Sequence, residues 1–338
     1  MIARTKRWDW FEVDLETGKP LAQVPGVRYV NGKFQLHRTH LPLLRGRNDE
    51  LDACVDERLD GAGYEFVGDA ARARAAGADL ELRPWQAEAL DWIAPRRGCL
   101  LADEMRLGKT LTALLSHDPD TGPLVILAPL DTRAVWLRWL AVVFPDVPVH
   151  VIEGKAVDPE AMREARIVFG HFDILTYHQS TVVQPGTLIV DEAHLLSNPR
   201  SKRSKSVLFY SGVAKRVILL SGTPMWNTSR GLWTLFAATG AGAWGKEFDF
   251  AQRYCSPEMT EYGWKYNGVS NRAEWHARRS ECVLARTWRE VRPDLPPPRR
   301  QTVAVPLDPD QRFEVDFAAA ELMAGAKQLD VTVLARYR

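Results

Sequence analysis

Between residues 80 and 240 the hydrophobic positions fall in short unbroken runs: Cys99–Ala102, Leu124–Ala128, Val149–Ile152, Ile167–Phe169, Leu188–Val190 and Val217–Leu220. These runs do not alternate with polar residues, and they are rich in Val, Ile and Leu. A strand covered on one face alternates, whereas a strand covered on both reads as a continuous apolar run. Between several of them lie stretches with helical spacing, such as Thr132–Val143 and Lys202–Tyr210. Strand and helix in alternation predict an α/β fold, a parallel sheet with helices on both faces. Ligands on such sheets sit at the carboxyl ends of the strands.

Residues 1–79 are patterned differently. Trp10–Leu15 alternates as a strand does, and Thr17-Gly18-Lys19-Pro20 predicts a turn. Val27–Val30, Asn31-Gly32 and Phe34–Leu36 predict a hairpin, since Asn-Gly favours the two-residue turn. Asp49–Leu59 and Ala70–Ala76 have helical spacing. The expectation is a small accessory α+β module over 1–79, ahead of the sheet domain over 80–298 and a C-terminal connector over 299–338. Nothing in the module carries a chemical motif, so packing is its plainest role.

Two of the strand ends carry chemistry. Cys99–Ala102 runs into Asp103-Glu104-Met105-Arg106-Leu107-Gly108-Lys109-Thr110, and Leu111, Leu114 and Leu115 then mark one face of a helix. Strand, tight loop, Gly-Lys-Thr and helix is an arrangement that grips phosphate with backbone N–H groups. Lys109 reaches β and γ phosphates, and the Thr110 hydroxyl is placed for Mg²⁺. Asp103 stands where the full glycine pattern has its first glycine, so the loop alone fits a nucleotide site or an ordinary glycine turn. Leu188–Val190 runs straight into Asp191-Glu192-Ala193-His194. Asp191 at a strand tip suits Mg²⁺, and Glu192 suits the orientation and deprotonation of an attacking water. The two motifs together favour phosphate chemistry over a solvated acidic loop.

Composition narrows the partners. The 338 residues are 46% apolar and 26% charged with a net charge of +1, so any nucleic-acid contact must come from a local patch. Arg200-Ser201-Lys202-Arg203-Ser204-Lys205 is one such run; residues 272–300, with eight arginines against four acids, are another. Each fits phosphate contact or a solvated helix face. The four cysteines form no CxxC pair, which leaves neither a zinc site nor a disulfide framework. Met1–Arg7 leads into Trp8-Asp9-Trp10 and not into an apolar core, and no long apolar run is present to span a membrane. The expected setting is cytoplasmic, nucleoid-associated if the source is prokaryotic or viral, with no membrane partner.

In order along the chain these motifs resemble the first RecA-like lobe of a superfamily 2 helicase-type ATPase of the Swi/Snf family. Leu82-Arg83-Pro84-Trp85-Gln86 resembles the adenine-recognition motif, which implies that Arg83 and Gln86 bind the nucleotide and that Gln86 reads the adenine edge. Ala102–Thr110 resembles the family's phosphate loop. Leu127-Ala128-Pro129-Leu130 with Trp136, and then Ile174-Leu175-Thr176-Tyr177, resemble the motifs that lie against DNA. Asp191-Glu192-Ala193-His194 is followed by Asn198-Pro199 and Ser201-Lys202, as in the remodellers. Ser221-Gly222-Thr223-Pro224, with Asn227 and Leu232-Trp233, resembles the motif that links phosphate state to lobe movement. The segment Phe250–Cys255 with Gly263-Trp264, Gly268 and Ser270-Asn271 resembles the annealing-helicase branch. Trp264, Tyr266 and Trp275 there fit either that branch or plain packing. Arg286-Thr287 and Leu295-Pro296-Pro297 resemble the end-of-lobe connector.

The resemblance implies ATP and Mg²⁺ as cofactors. It implies catalysis by Lys109, Asp191 and Glu192, with Thr110 and Asp191 on the metal. Coupling falls to Ser221, Gly222 and Thr223, and DNA contact to Pro129, Leu130, Thr176, Lys202, Arg203 and Lys205. The implied partners are duplex or branched DNA and a second RecA-like lobe. Arg106 departs from the family's glycine, and a non-glycine residue in the left-handed region costs roughly 1–2 kcal/mol. Arg106 either swings clear of ATP or weakens its binding. The sequence after Pro298 is too short for a second lobe and its arginine finger. Three readings follow: a fragment, a partner lobe on another chain, or a protein that works without efficient hydrolysis. Little ATPase activity is expected of this chain alone. A non-hydrolysing DNA-binding module and an RNA-directed helicase are the rival readings.

Overall fold

The computed structural model describes residues 2–296, apart from breaks at 5–9, 47–48, 61–64, 157, 179–183, 226–227, 241, 262 and 267, and then residues 308, 311–312 and 314–316. The chain forms two compact units, Met1–Arg292 and Pro293–Arg338.

The first unit begins with β1 (Ile2–Arg4), β2 (Trp10–Val13), β3 (Arg28–Val30) and β4 (Lys33–His37), an antiparallel sheet in the order β1-β2-β4-β3. The predicted hairpin is present: Asn31 and Gly32 have φ of 51 and 80, the left-handed pair that matches strand twist. The expected turn at Thr17–Pro20 is instead helical. Asp14 caps the short helix Leu15–Gly18 by accepting from Thr17 N–H at 2.8 Å, and a 3₁₀ turn over Lys19–Leu21 continues it. Helices follow at Asp49–Asp60 and Glu65–Gly77.

The main sheet comprises β5 (Gly98–Leu101), β6 (Leu124–Leu127), β7 (Val149–Val151), β8 (Ile167–Gly170), β9 (Thr187–Val190) and β10 (Arg216–Leu220). The ribbon β11 (Pro257–Thr260) and β12 (Gly263–Tyr266) precedes β13 (Val283–Leu284), which is the seventh strand of the sheet. The order is β13-β5-β10-β9-β6-β8-β7, with all pairings parallel. The expected fold class is therefore found, an α/β unit preceded by a small antiparallel sheet. Its five inner strands, β5, β10, β9, β6 and β8, are buried on both faces, as the unbroken apolar runs require, while the edge strands β7 and β13 are half-buried. Leu100, Val125, Val190 and Leu219 point into one core, and Leu101, Ile126, Ile189 and Ile218 into the other.

Trp10 of the N-terminal sheet joins the first of these cores. Gly26 backs onto the lobe so closely that a Cβ there would fall 1.6 Å from the Ala243 carbonyl oxygen. Arg38 and Arg96 each lie 3.2 Å from one oxygen of Glu281. In the second unit Asp308 starts a helical turn, accepting from Gln311 N–H at 2.9 Å. The helical character expected from Asp308 to Met323 is seen at 311–312 and 314–316, and the rest lies outside the described residues. Among the described residues no helix is long and apolar enough to cross a membrane.

His117 packs under the sheet with Nδ1 3.0 Å from Thr187 Oγ1, and burial pushes its pKa down to about 3. His37 and His40 are likewise held neutral, well below the ordinary value of 6.5, chiefly by burial. Below about pH 6.5 the unfolded chain takes up protons that the folded chain refuses, so stability present above that pH is lost as pH falls. The melting temperature is expected to start dropping near pH 6.5, ahead of the carboxylate range. His117→Gln is expected to flatten the drop in a pH series of thermal melts, and an unchanged slope would count against this account.

Candidate functional site

The carboxyl ends of β5, β9 and β10 lie side by side and deliver three loops to one edge of the sheet. Gly108 turns the first loop with φ 89 and caps the helix Lys109–Leu115 without a side chain, leaving its first N–H groups open. The positive φ favours glycine there, and a Cβ on Gly108 would also fall 2.5 Å from Gln86 Nε2. Arg106 has φ 68, which places it in the left-handed region. It is exposed and lines the cleft.

The cleft holds about 500 Å³ and is lined from both motifs, Lys109 and Thr110 on one side, Asp191 and Glu192 on the other. Gln86, Arg83 and Arg106 also line it. Lys109 Nζ donates to the Asp103 and Glu104 carbonyls at 2.6 and 3.1 Å. Burial lowers its pKa, with Asp103, Glu192 and Asp191 pulling the other way. Asp191 accepts from Trp136 Nε1 at 2.9 Å and from Glu192 N–H at 2.9 Å. Burial raises the pKa of both carboxyls, and the nearness of Asp191 raises Glu192 further. Glu192 is itself left-handed, with φ 47, an uncommon conformation for a residue other than glycine.

The third loop meets the other two. A Cβ on Gly222 would lie 3.8 Å from Lys109 Nζ. His194 Nδ1 is 3.1 Å from Glu192 Oε2 and 3.1 Å from Ser221 Oγ, and Thr223 N–H donates to that hydroxyl at 3.2 Å. Ser221 and Thr223 are thus linked to Glu192 through one imidazole. Asn227 lies outside the described residues.

The donor set fits magnesium. Thr110 offers a hydroxyl and Asp191 a carboxylate, and Mg²⁺ commonly takes one or two such ligands with substrate phosphates and water completing the shell. Among the described residues no cluster of three His, Cys, Asp or Glu could hold a metal by itself. Gln86 is buried with Oε1 accepting from Arg83 N–H at 3.0 Å. The side chains of Asp103 and Glu104 face away from the cleft, toward Arg286 and Trp288. Met105 is exposed and Leu107 buried.

The residues assigned to DNA contact occupy the neighbouring part of the same edge. Pro129 and Leu130 follow β6, and Leu130 is exposed. Thr176 Oγ1 donates to the Asp173 carbonyl at 2.7 Å, while Arg203 Nε pairs with the Asp173 carboxylate at 3.2 Å. Lys202 and Lys205 are exposed at the start of the helix Lys202–Val213. The second basic run is only partly committed to packing: Arg272 and Arg289 are exposed, and Arg299 and Arg300 lie outside the described residues. Arg278 is fully buried, donating to Tyr254 Oη and the Ala243 carbonyl at 2.7 Å each, and Arg286 is committed to Asp103. Of the doubtful aromatics, Tyr266 is buried, Trp275 packs on the core and Trp264 is exposed. Sequence reasoning missed Trp139 as a cleft wall, although it sits one helical turn beyond Trp136.

Comparison with known proteins identifies the family and the fold. The model of the SNF2-related domain family matches residues 29–321. The SWI/SNF-related matrix-associated actin-dependent regulator of chromatin subfamily A-like protein 1 of Drosophila melanogaster is 31% identical over 235 residues, 68% of this chain and 31% of that protein. The DNA annealing helicase and endonuclease ZRANB3 of Homo sapiens is 29% identical over 272 residues, 75% of this chain and 24% of that protein. The chain thus spans about a third or less of these curated relatives. Among solved structures, the Sulfolobus solfataricus SWI2/SNF2 ATPase core in complex with dsDNA shares the fold, with TM-score 0.53 and 23% identity over 76% of this chain and 57% of that one.

Proposed function

We infer the activity of this chain from its family: it belongs to the SNF2-related domain family. The chain is the ATP-binding lobe of a DNA-dependent ATPase that remodels or anneals duplex or branched DNA. The observation that carries the reading is the cleft shared by Lys109, Thr110, Asp191 and Glu192. Lys109 and the N–H groups after Gly108 would receive the β and γ phosphates, and Gln86 and Arg83 the adenine. Thr110 and Asp191 would hold Mg²⁺, which when bound neutralises charge on the phosphates. Glu192 orients a water and takes its proton. The His194 imidazole, between Glu192 and Ser221, would pass a shift at the cleft to the Ser221–Thr223 loop.

Residues 80–298 form this lobe, with 1–79 as an accessory module and 299–338 leading toward a second RecA-like lobe that supplies an arginine finger. Duplex DNA runs along the edge marked by Leu130, Thr176, Lys202, Arg203 and Lys205, where side chains meet phosphates without reading bases. A non-hydrolysing DNA-binding module remains the second reading, favoured by the strained Arg106 in the phosphate loop.

The test is ATP turnover by the full chain with duplex DNA, forked DNA and RNA, each with and without a second lobe added. Stimulation by DNA and not by RNA, and dependent on the second lobe, is the expected pattern. ATP binding with no turnover under any condition would favour the module. Fast turnover by the chain alone would remove the requirement for a partner lobe.

A further inference from the structure

The residues that follow β13 turn back across the phosphate loop. Arg286 Nη2 and Nε donate to the two oxygens of Asp103 at 2.7 and 3.2 Å, and the Arg286 backbone N–H adds a bond of 3.0 Å. Its Nη1 donates to the Trp85 carbonyl at 2.7 Å and lies 3.3 Å from Glu88. One guanidinium therefore ties the start of the phosphate loop to the helix Pro84–Ile93, which carries Gln86. Asp103 is buried, so this two-pronged pair is shielded from water.

Two residues later Trp288 fastens the same loop. Its backbone N–H donates to Glu104 Oε2 at 2.7 Å and its indole N–H to the Met105 carbonyl at 2.9 Å. The Trp85 indole donates to the Leu107 carbonyl at 3.0 Å, and the two indoles meet edge to face with centroids 6.3 Å apart. The carbonyls on either side of Arg106 are thus each held by an indole. A non-glycine residue keeps a positive φ only where its surroundings over-determine it, and this bracket supplies that constraint.

We propose that Arg286 is a positioning residue for the nucleotide cleft. It holds Asp103 and the Trp85 carbonyl so that the phosphate and adenine elements keep one spacing, with Trp288 as the second fastener. The ligand it serves is a nucleoside triphosphate, so the inference rests on the ATP reading above. It touches no phosphate itself. Displacing Arg286 from Asp103 loosens the loop, which gives the chain leaving the lobe a hold on nucleotide affinity.

The test is equilibrium binding of Mg-ATP to the full chain by calorimetry, with Arg286→Gln, Asp103→Asn, their combination, and Arg286→Lys. Each single change is expected to weaken binding about tenfold, since small misplacements at such sites have large effects. The combination is expected to be no weaker than the worse single change, because both break one interaction. Arg286→Lys keeps the charge without the fork and recovers part of the loss. A loss that simply adds between the two sites, with nothing recovered by lysine, points to general damage and overturns the proposal. Lys109→Ala separates the two levels of inference. Failure of the natural chain to bind Mg-ATP sinks the ATP reading and this proposal with it. Binding by the natural chain, its loss in Lys109→Ala, and natural affinity in Arg286→Gln and Asp103→Asn overturn the positioning role alone. Should Arg286→Gln not fold, Trp288→Phe decides. Removing that one N–H is expected to weaken binding by about threefold or more, and natural affinity there overturns the proposal.

Discussion

Glu192→Gln is expected to lower ATP turnover by roughly 10²–10⁴-fold while leaving ATP affinity within about threefold. Glutamine keeps the length of the side chain and an oxygen for His194, which lies 3.1 Å from Glu192 Oε2. What it removes is basicity. Burial and the neighbouring Asp191 raise the Glu192 pKa, which makes the carboxylate a better proton acceptor than a solvated one. Asp191→Asn should differ in kind: it removes charge from the metal side, so its defect should lessen as Mg²⁺ is raised. The measurement is phosphate release with duplex DNA present and a second lobe supplied, beside ATP binding by calorimetry. Turnover of Glu192→Gln within tenfold of the natural chain would remove Glu192 from the role of base. Loss of affinity equal to the loss of turnover would make it a binding residue instead.

The sequence made these residues legible because each motif is local. Lys109 and Thr110 follow a strand and open a helix within a few positions, and Asp191 and Glu192 end another strand. The central strands were legible for a related reason: burial on both faces writes an unbroken apolar run, as in the wholly buried β9 and β10. Short elements left too little pattern. β13 has two residues, which show no period at all, and β11 and β12 mix exposed and partly or wholly buried positions without alternation. At Thr17–Pro20 the Gly and Pro residues predicted a turn, yet Asp14 as a cap tipped the segment into a helix. Least legible were contacts between distant residues. Asp103 and Arg286 are 183 positions apart, and nothing local to either announces the other. In the basic run near Arg278, composition counted charges without saying which are buried: Arg278 is, while Arg272 and Arg289 are exposed.

Lys109→Ala is expected to weaken ATP binding by about 100-fold or more with little change in the fold. The ammonium is poorly solvated where it sits, and burial lowers its pKa. Its present acceptors are two loop carbonyls, Asp103 at 2.6 Å and Glu104 at 3.1 Å, which are neutral. Charge-assisted bonds to phosphate are each worth about 1.5–3 kcal/mol, and two of them correspond to at least a hundredfold in affinity. Lysine to alanine at the first turn of the helix leaves the core untouched, since the buried residues there are Leu111, Thr112, Ala113, Leu114 and Leu115. The melting temperature should therefore move by only a few degrees. Lys109→Arg is a sharper variant than alanine. It keeps the charge, but the wider planar head must fit beside Gly222, where an added Cβ would lie 3.8 Å from Lys109 Nζ. The expected order of ATP affinity is natural chain, then arginine, then alanine, with the gap between natural chain and arginine at least tenfold. ADP should discriminate less among the three, because the phosphate that the ammonium reaches furthest toward is missing. Equal affinity for ATP in all three proteins, with melting curves unchanged, would show that the triphosphate does not lie against Lys109 and that the shared cleft binds something else.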